Sequence, residues 1–213
     1  MKHLATFILS LTMTTTAYGA LLSTEGSKGK LDGVNLSSSA SSNIESESIK
    51  LSQIGSGLRA KKVVFVNIKV YVAELFASSP EKFKKTDVDA LASLKDQKVV
   101  AIQLHFVRSV DADNVQKSFK EALKANSVNL DDASVKQFLD SVNQGGEAKE
   151  GKALTILGAK LKDGSEEVLY ENTSGNVSTI TGKAGFVEQI FSIWLGKSAD
   201  SGVAQLKKSI LAN

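Results

Sequence analysis

The run of residues from Lys61 to Phe76 constrains the fold of this chain more than any other segment. Its sequence, KKVVFVNIKVYVAELF, is dense in β-branched and aromatic side chains, which favour a pleated and half-buried strand. Strands in globular proteins usually span about three to ten residues, and this run is longer. We therefore expect a bend or a tight hairpin near Asn67.

Alternation along this run gives the predicted strand two different faces. One face is apolar throughout, and we expect it to lie under a layer of helices. The other face is apolar but interrupted by polar groups, which suits a surface turned partly toward a cleft. The first face holds Val64, Val66, Ile68, Val70 and Val72, and the second holds Val63, Phe65, Asn67, Lys69, Tyr71, Ala73 and Leu75.

Hydrophobic periodicity predicts regular elements over most of the remaining chain. Strands come first, helices lie mid-chain, and strands and helices follow again. This order indicates an α+β domain whose antiparallel or mixed sheet carries helices on one face. The predicted elements are a strand at 98–108, helices at 111–124 and 131–142, a hairpin of strands at 153–161 and 166–170, a strand at 176–181, and helices at 183–195 and 199–211.

The first nineteen residues are typical of a cleavable secretory signal. Lys2 and His3 precede an uncharged apolar stretch, and Ala17-Tyr18-Gly19 places small residues before a cut at Ala20. A membrane anchor is the alternative, but a spanning helix needs about 20 apolar residues and this stretch is shorter. We therefore expect an exported protein with no membrane anchor after cleavage.

Residues 20–46 are rich in serine and glycine, a composition that favours a flexible lead-in. Within it, residues 30–36 are predicted to add an edge strand at most. The folded domain is then expected to span residues 47–213, a length that supports a single core.

Composition excludes several functions. The 26 basic and 23 acidic residues are nearly balanced, and no basic stripe points to nucleic acid. The chain has no cysteine, which excludes thiol catalysis and cysteine-based metal sites. Beyond the signal His105 is the only histidine, so we expect neither a metal site nor a Ser-His-Asp triad. No cofactor is expected.

A short glycine motif precedes the best candidate residues. Gly55-Ser56-Gly57 is not a phosphate-binding loop, because no helix follows it, and we interpret it as a glycine turn that brings two strands close together. Arg59 and Tyr71 share the parity of the second strand face. An arginine and a phenol beside an apolar wall suit the head group of a small acid. The alternative is an exposed Arg59 and an ordinary core Tyr71.

Two further residues each allow two interpretations. Arg108 shares parity with the apolar residues of the 98–108 strand, so it is either a second inward cation or an arginine already clear of the sheet. Trp194 lies among apolar neighbours in the helix at 183–195, which favours core packing over a lid across a ligand.

Several motifs resemble the chalcone isomerase family in order along the chain. They are Gly55-Ser-Gly-Leu-Arg59, KVYVAEL at 69–75, Phe106-Val-Arg-Ser-Val-Asp111, and Phe191-Ser-Ile-Trp-Leu-Gly-Lys197, the last two similar to its bacterial branch. The resemblance covers about residues 31–211. The bacterial branch of the family implies the periplasm as the compartment of the exported protein, with secretion as the alternative. The resemblance implies an open-faced β-sandwich with a large antiparallel sheet, a helical layer on one side, and a ligand cleft between them.

The resemblance also implies roles for particular residues. In the plant isomerases an arginine at the position of Arg59 stabilises the developing oxyanion. Fatty-acid-binding relatives keep that arginine and have a tyrosine where Tyr71 stands. By ungapped offset, the polar residues that orient a chalcone are replaced here by Asp113, Lys120 and Ile193. Loss of several preorganised donors costs orders of magnitude in rate, so isomerase activity is not expected.

Three hypotheses therefore remain. The first is a non-catalytic binder of an apolar, fatty-acid-like carboxylic acid that uses Arg59, Tyr71 and Arg108. The second is an isomerase, an intramolecular lyase, that acts on chalcone-like unsaturated ketones through Arg59. The third is an interaction protein whose cleft is closed.

Overall fold

The computed structural model describes residues 20–63 and 66–212. The predicted signal lies outside the described residues. The strands are β1 (Ser23–Glu25), β2 (Lys30–Leu31), β3 (Val34–Asn35), β4 (Ser39–Ile44), β5 (Glu47–Val63), β6 (Val66–Ala77), β7 (Val99–Phe106), β8 (Ala153–Lys160), β9 (Glu166–Glu171) and β10 (Val177–Gly182). The helices are α1 (Ala112–Ala125), α2 (Ala133–Gln144), α3 (Phe186–Leu195) and α4 (Ser201–Ala212), with short 3₁₀ turns at Pro80–Lys82 and Ala92–Asp96.

The main sheet is antiparallel throughout its described pairings. Its strand order is β1-β4-β5-β6-β7-β8-β9-β10, and β2 pairs with β3 in a separate small hairpin. The four helices supply one apolar layer against this sheet. This architecture confirms the predicted α+β fold.

The predicted long strand at 61–76 comprises the end of β5 and most of β6, which pair as an extended antiparallel hairpin. β5 begins at Glu47, well before the predicted start, and pairs with β6 as far as Val63 and Val66. β5 ends at Val63 and β6 begins at Val66, which confirms the hairpin predicted near Asn67. Gly55 and Gly57 lie inside β5 and not in a turn, so the interpretation of this motif as a glycine turn is wrong.

A β-bulge at Val70 changes which side chains share a face. The pairing passes from Arg59 opposite Tyr71 to Ala60 opposite Lys69, so Val70 is an extra residue on β6. An extra residue reverses the alternation beyond it. The predicted faces were therefore wrong after Val70: the helix-facing core holds Tyr71, Ala73, Leu75 and Ala77, whereas Phe76 lies in a second core on the opposite face.

The helical layer begins at well-formed caps. The Asp111 carboxylate accepts a hydrogen bond from the Asn114 amide at 2.8 Å and caps α1, and Asp132 caps α2 in the same way. α3 is the most deeply buried helix, and Trp194 within it is fully buried. In the described part of the chain, no helix is both long and apolar enough to span a membrane.

Two strands of residues 20–46, β1 and β4, belong to the main sheet, where a flexible lead-in was expected. β4 pairs along β5, and β1 pairs along β4. Ala40 and Ile44 are buried on one face of β4 because alternate small and apolar side chains point into the second core. The predicted edge strand at 30–36 is instead the separate β2–β3 hairpin.

A buried carboxylate holds this N-terminal segment to the sheet. Glu74 has no exposed surface, and its Oε1 accepts from the Ser37 amide at 2.7 Å and from Gln53 Nε2 at 2.8 Å. Its Oε2 lies 2.9 Å from His105 Nε2. The single histidine beyond the predicted signal therefore has a structural contact on the face opposite the helices.

Candidate functional site

A cleft of about 350 Å³ opens between the sheet and the helical layer. Strands β5, β6 and β7 form its floor, and α1, α3 and the start of α4 form its walls. Its apolar lining includes Ile68, Val70, Phe106, Phe119, Ile193 and Val203, and its polar end is formed by Arg59, Tyr71 and Asp200.

Close packing of α4 against β5 explains the position of Arg59. A side chain at Gly55 would place its Cβ 1.9 Å from the Ile210 carbonyl oxygen, and one at Gly57 would lie 2.8 Å from Ser209 Cβ. Without side chains at these positions, α4 lies directly on the strand. Arg59 follows on the same face, where it is covered by the first turn of α4 and only 7% exposed.

The Arg59 guanidinium already has partners within the chain. Its Nη2 donates to Asp200 Oδ2 at 2.6 Å, and its Nη1 donates to the Ala60 carbonyl. The other Asp200 oxygen, Oδ1, accepts from the amides of Gly202 at 2.8 Å and Val203 at 3.0 Å. Asp200 is therefore both the N-cap of α4 and the counter-ion of Arg59.

Tyr71 stands directly across the β5–β6 ladder from Arg59. Its hydroxyl oxygen accepts a hydrogen bond from Trp194 Nε1 at 3.2 Å, and its ring meets Phe106 edge-on with centroids 5.5 Å apart. Burial raises the pKa of Tyr71, and the nearby Arg59 offsets only part of that rise. The hydroxyl therefore stays protonated near neutral pH and keeps its own hydrogen as a donor.

Known proteins with similar sequences or structures agree with this architecture. A family model described as chalcone isomerase-like matches residues 28–212. The chain belongs to the chalcone isomerase-like family. No curated protein matches it significantly. Among solved structures, it is similar to a fatty-acid binding protein of Arabidopsis thaliana, with a TM-score of 0.54 and 16% identity over 84% of this chain and 94% of that one. At this identity, the similarity concerns the fold.

Within the chalcone isomerase-like fold, the structure brings together two of the three predicted ligand-binding residues. Arg59 and Tyr71 both line the cleft, and both are buried. Arg108 also lines the cleft, but it lies beyond the end of β7 and is exposed. In the described part of the chain its guanidinium has no hydrogen-bond or ion-pair partner. Arg108 is thus a cation at the mouth of the cleft.

Three residues were expected to stand where an isomerase has the polar residues that orient its substrate, and they lie in different surroundings. Asp113 is exposed and does not line the cleft, and Lys120 Nζ donates to Gln116 Oε1 at 2.9 Å. Ile193 lines the cleft as an apolar wall residue. Asn114, Ser118 and Glu121 are the polar side chains that α1 places along the cleft, and the offset did not point to any of them.

Sequence reasoning missed two residues at the polar end. Asp200 precedes an apolar-periodic helix, a position that predicts an N-cap but no contact with a strand 141 residues earlier. Gly202 has no local sequence signal. A Cβ there would lie 1.9 Å from Arg59 Nη1, so only glycine leaves room for the guanidinium under α4. Trp194 packs in the core as predicted, and it also orients the Tyr71 hydroxyl.

Proposed function

We propose that this protein is a non-catalytic binder of an apolar carboxylic acid of the fatty-acid type. The observation that carries the proposal is the cleft itself: an apolar wall that leads to a buried arginine and a protonated phenol. Its volume of about 350 Å³ is at the lower end of the range for small-molecule sites, which is about 300–1,000 Å³.

The apolar wall and the polar end of the cleft both fit such a ligand. An alkyl chain along Val70, Phe119 and Val203 would gain roughly 25 cal/mol for each Å² of apolar surface removed from water. At the polar end, the Tyr71 hydroxyl supplies a hydrogen-bond donor. The Arabidopsis protein of the same fold is a fatty-acid binding protein, and this supports the choice of ligand class.

The same residues argue against catalysis. Cyclisation of a chalcone requires donors placed where negative charge develops on the enolate oxygen. Here the Arg59 charge is matched by Asp200, and the raised pKa of the buried Tyr71 keeps it from acting as a base near neutral pH. We therefore expect no acceleration of chalcone cyclisation. A turnover rate well above the uncatalysed rate would contradict the non-catalytic assignment.

The binding proposal is tested by native mass spectrometry and by titration of delipidated protein with a long-chain fatty acid. Wild-type protein is expected to bind one acyl chain. Arg59→Ala is expected to weaken binding about ten- to hundred-fold, because a hydrogen bond to a charged group contributes about 1.5–3 kcal/mol. Lys62→Ala is the matched control, since Lys62 is an exposed cation on β5 outside the cleft.

A second variant guards against misfolding of Arg59→Ala. Ser118 is exposed and lines the cleft from α1, so Ser118→Trp places a bulky ring in the cleft without disturbing the core. We expect this variant to keep its thermal stability and to lose acyl binding. Binding that persists unchanged in both variants would place the ligand elsewhere.

Export is a further part of the proposal, supported by the charged start, the apolar stretch and the small residues before Ala20. Expression of the full chain in a bacterium with two membranes is expected to give a periplasmic protein whose first residue is Ala20. Protein that stays in the cytoplasm with its first nineteen residues attached would contradict export.

A further inference from the structure

The accessible part of the Arg59–Asp200 pair is its carboxylate. The Arg59 side chain is 8% exposed, whereas that of Asp200 is 44% exposed. Both Asp200 oxygens are engaged, Oδ2 by Arg59 and Oδ1 by the first amides of α4. A head group that reaches the polar end of the cleft therefore meets a fixed carboxylate beside a largely covered guanidinium.

The charges that line the cleft are balanced. Three cations and three carboxylates lie along it, so it holds no net positive charge to attract an anion. They are Arg59, Lys61, Arg108, Asp111, Glu121 and Asp200. An ionised carboxylate at the polar end would share one arginine with Asp200, and two carboxylates in close contact repel each other.

A neutral hydroxyl-bearing head group fits the same place. Tyr71 has a hydrogen to donate, because its oxygen accepts from Trp194. Asp200 is a hydrogen-bond acceptor. Burial raises the pKa of Tyr71 most, Arg59 lowers it and Asp200 raises it, so both charges lie within electrostatic reach of the phenol. A protonated acid or an alcohol can accept from Tyr71 and donate to Asp200, whereas an ionised acid can only accept, from Tyr71 and from the Arg59 that it shares with Asp200.

We propose that Asp200 sets the head-group selectivity of the cleft, favouring a neutral hydroxyl-bearing head group over an ionised carboxylate. The inference rests on the proposed binding of an acyl chain in this cleft. Asp200 thus competes with a ligand carboxylate for the Arg59 guanidinium. Its removal releases the guanidinium and converts the site to one that prefers the ionised acid.

The test compares two ligands of equal chain length, dodecanoate and dodecan-1-ol, by titration at a pH where the free acid is ionised. Wild-type protein is expected to bind the alcohol at least as tightly as the acid. Asp200→Asn keeps an N-cap side chain on α4 and removes the charge. It is expected to bind dodecanoate at least tenfold more tightly than wild type does, while its affinity for the alcohol falls or stays within about threefold.

Two matched substitutions separate the pairing from other effects. Asp132→Asn makes the same change at the N-cap of α2, outside the cleft, and is expected to leave both affinities unchanged. Asp111→Asn removes a carboxylate that lines the cleft but does not touch Arg59. An equal gain for dodecanoate in Asp111→Asn would show a general charge effect and overturn the assignment of Asp200.

The remaining outcomes are also decisive. If wild-type protein prefers dodecanoate and Asp200→Asn leaves that preference unchanged, Asp200 has no role in selectivity, although the proposed binding function stands. If neither ligand binds wild-type protein or any variant, the proposed function itself fails, and the selectivity inference fails with it.

Discussion

Tyr71 shows how one side chain in this protein serves both the core and the cleft. Its ring packs against Phe106, and its oxygen accepts from the buried Trp194 indole. Tyr71 also lines the cleft, and because its oxygen accepts from Trp194 its own hydrogen remains a donor. Loss of this oxygen therefore affects both folding and binding.

We expect Tyr71→Phe to lower the free energy of unfolding by about 1–3 kcal/mol, because the buried Trp194 N–H loses its acceptor. Affinity for the acyl ligand should fall about fivefold, since one neutral hydrogen bond contributes about 1 kcal/mol. Chemical denaturation and ligand titration measure the two effects.

Tyr170→Phe is the control for this substitution. Tyr170 is also buried, and it packs against Phe138 outside the cleft. The Tyr170→Phe variant should bind the acyl ligand with the affinity of wild-type protein. A Tyr71→Phe variant as stable and as tightly binding as wild type would show that the hydroxyl contributes to neither property.

At the scale of elements, the contact between α4 and β5 builds the polar end of the cleft. Gly55, Gly57 and Gly202 remove side chains from three successive points of this contact. The helix consequently lies close enough to the strand for Asp200 to reach Arg59. The bulge at Val70 completes the arrangement, because it puts Tyr71 on the same face as Arg59.

Gly55→Ala is expected to destabilise the protein by about 1–3 kcal/mol or more, as overpacking of a close contact does. Its Cβ would lie 1.9 Å from the Ile210 carbonyl oxygen, so α4 must move away from the strand. Thermal unfolding and acyl titration should both report the change, since the Arg59–Asp200 pair depends on the position of α4.

Ser52→Ala is a matched substitution on the same strand, at an exposed position. It should leave both the unfolding midpoint and the ligand affinity unchanged. Equal stability of Gly55→Ala and Ser52→Ala would mean that α4 tolerates the displacement and that close packing is not required.

At the scale of the whole molecule, residues 20–46 complete the sheet and cover its second core. Leu22, Ala40 and Ile44 pack with Phe76 and Val99 on the face away from the helices. Glu74 binds the Ser37 amide, and Glu171 binds the Leu21 amide at 3.1 Å. The segment is thus part of the fold of the chalcone isomerase-like domain.

A chain that begins at Glu47 is therefore expected to be much less stable than one that begins at Ala20. Truncation would uncover the edge of β5 and leave the buried Glu74 carboxylate without one of its donors. An unpaired sheet edge also promotes aggregation. Soluble yield and the unfolding midpoint measure the difference, and equal values for the two chains would contradict a structural role for this segment.

Much of the fold could be predicted from local pattern. Periodicity located the helices and the strands from β7 onward within a few residues, because burial of one face imposes its period on the sequence. The family motifs indicated the cleft and its arginine–tyrosine pair. The lead-in was misjudged because small serines and alanines carry little hydrophobic signal, although Ala40 and Ile44 are buried by pairing with a distant strand.

The sequence alone determined the α+β class, the apolar hairpin, and the presence of Arg59 and Tyr71 as candidate residues. Only the tertiary structure decided what surrounds them. The bulge that reverses a strand's parity, the glycine contact under α4 and the pairing of Arg59 with Asp200 join residues far apart in the chain. Local propensity carries no information about such contacts, since they arise only when the helix packs on the sheet.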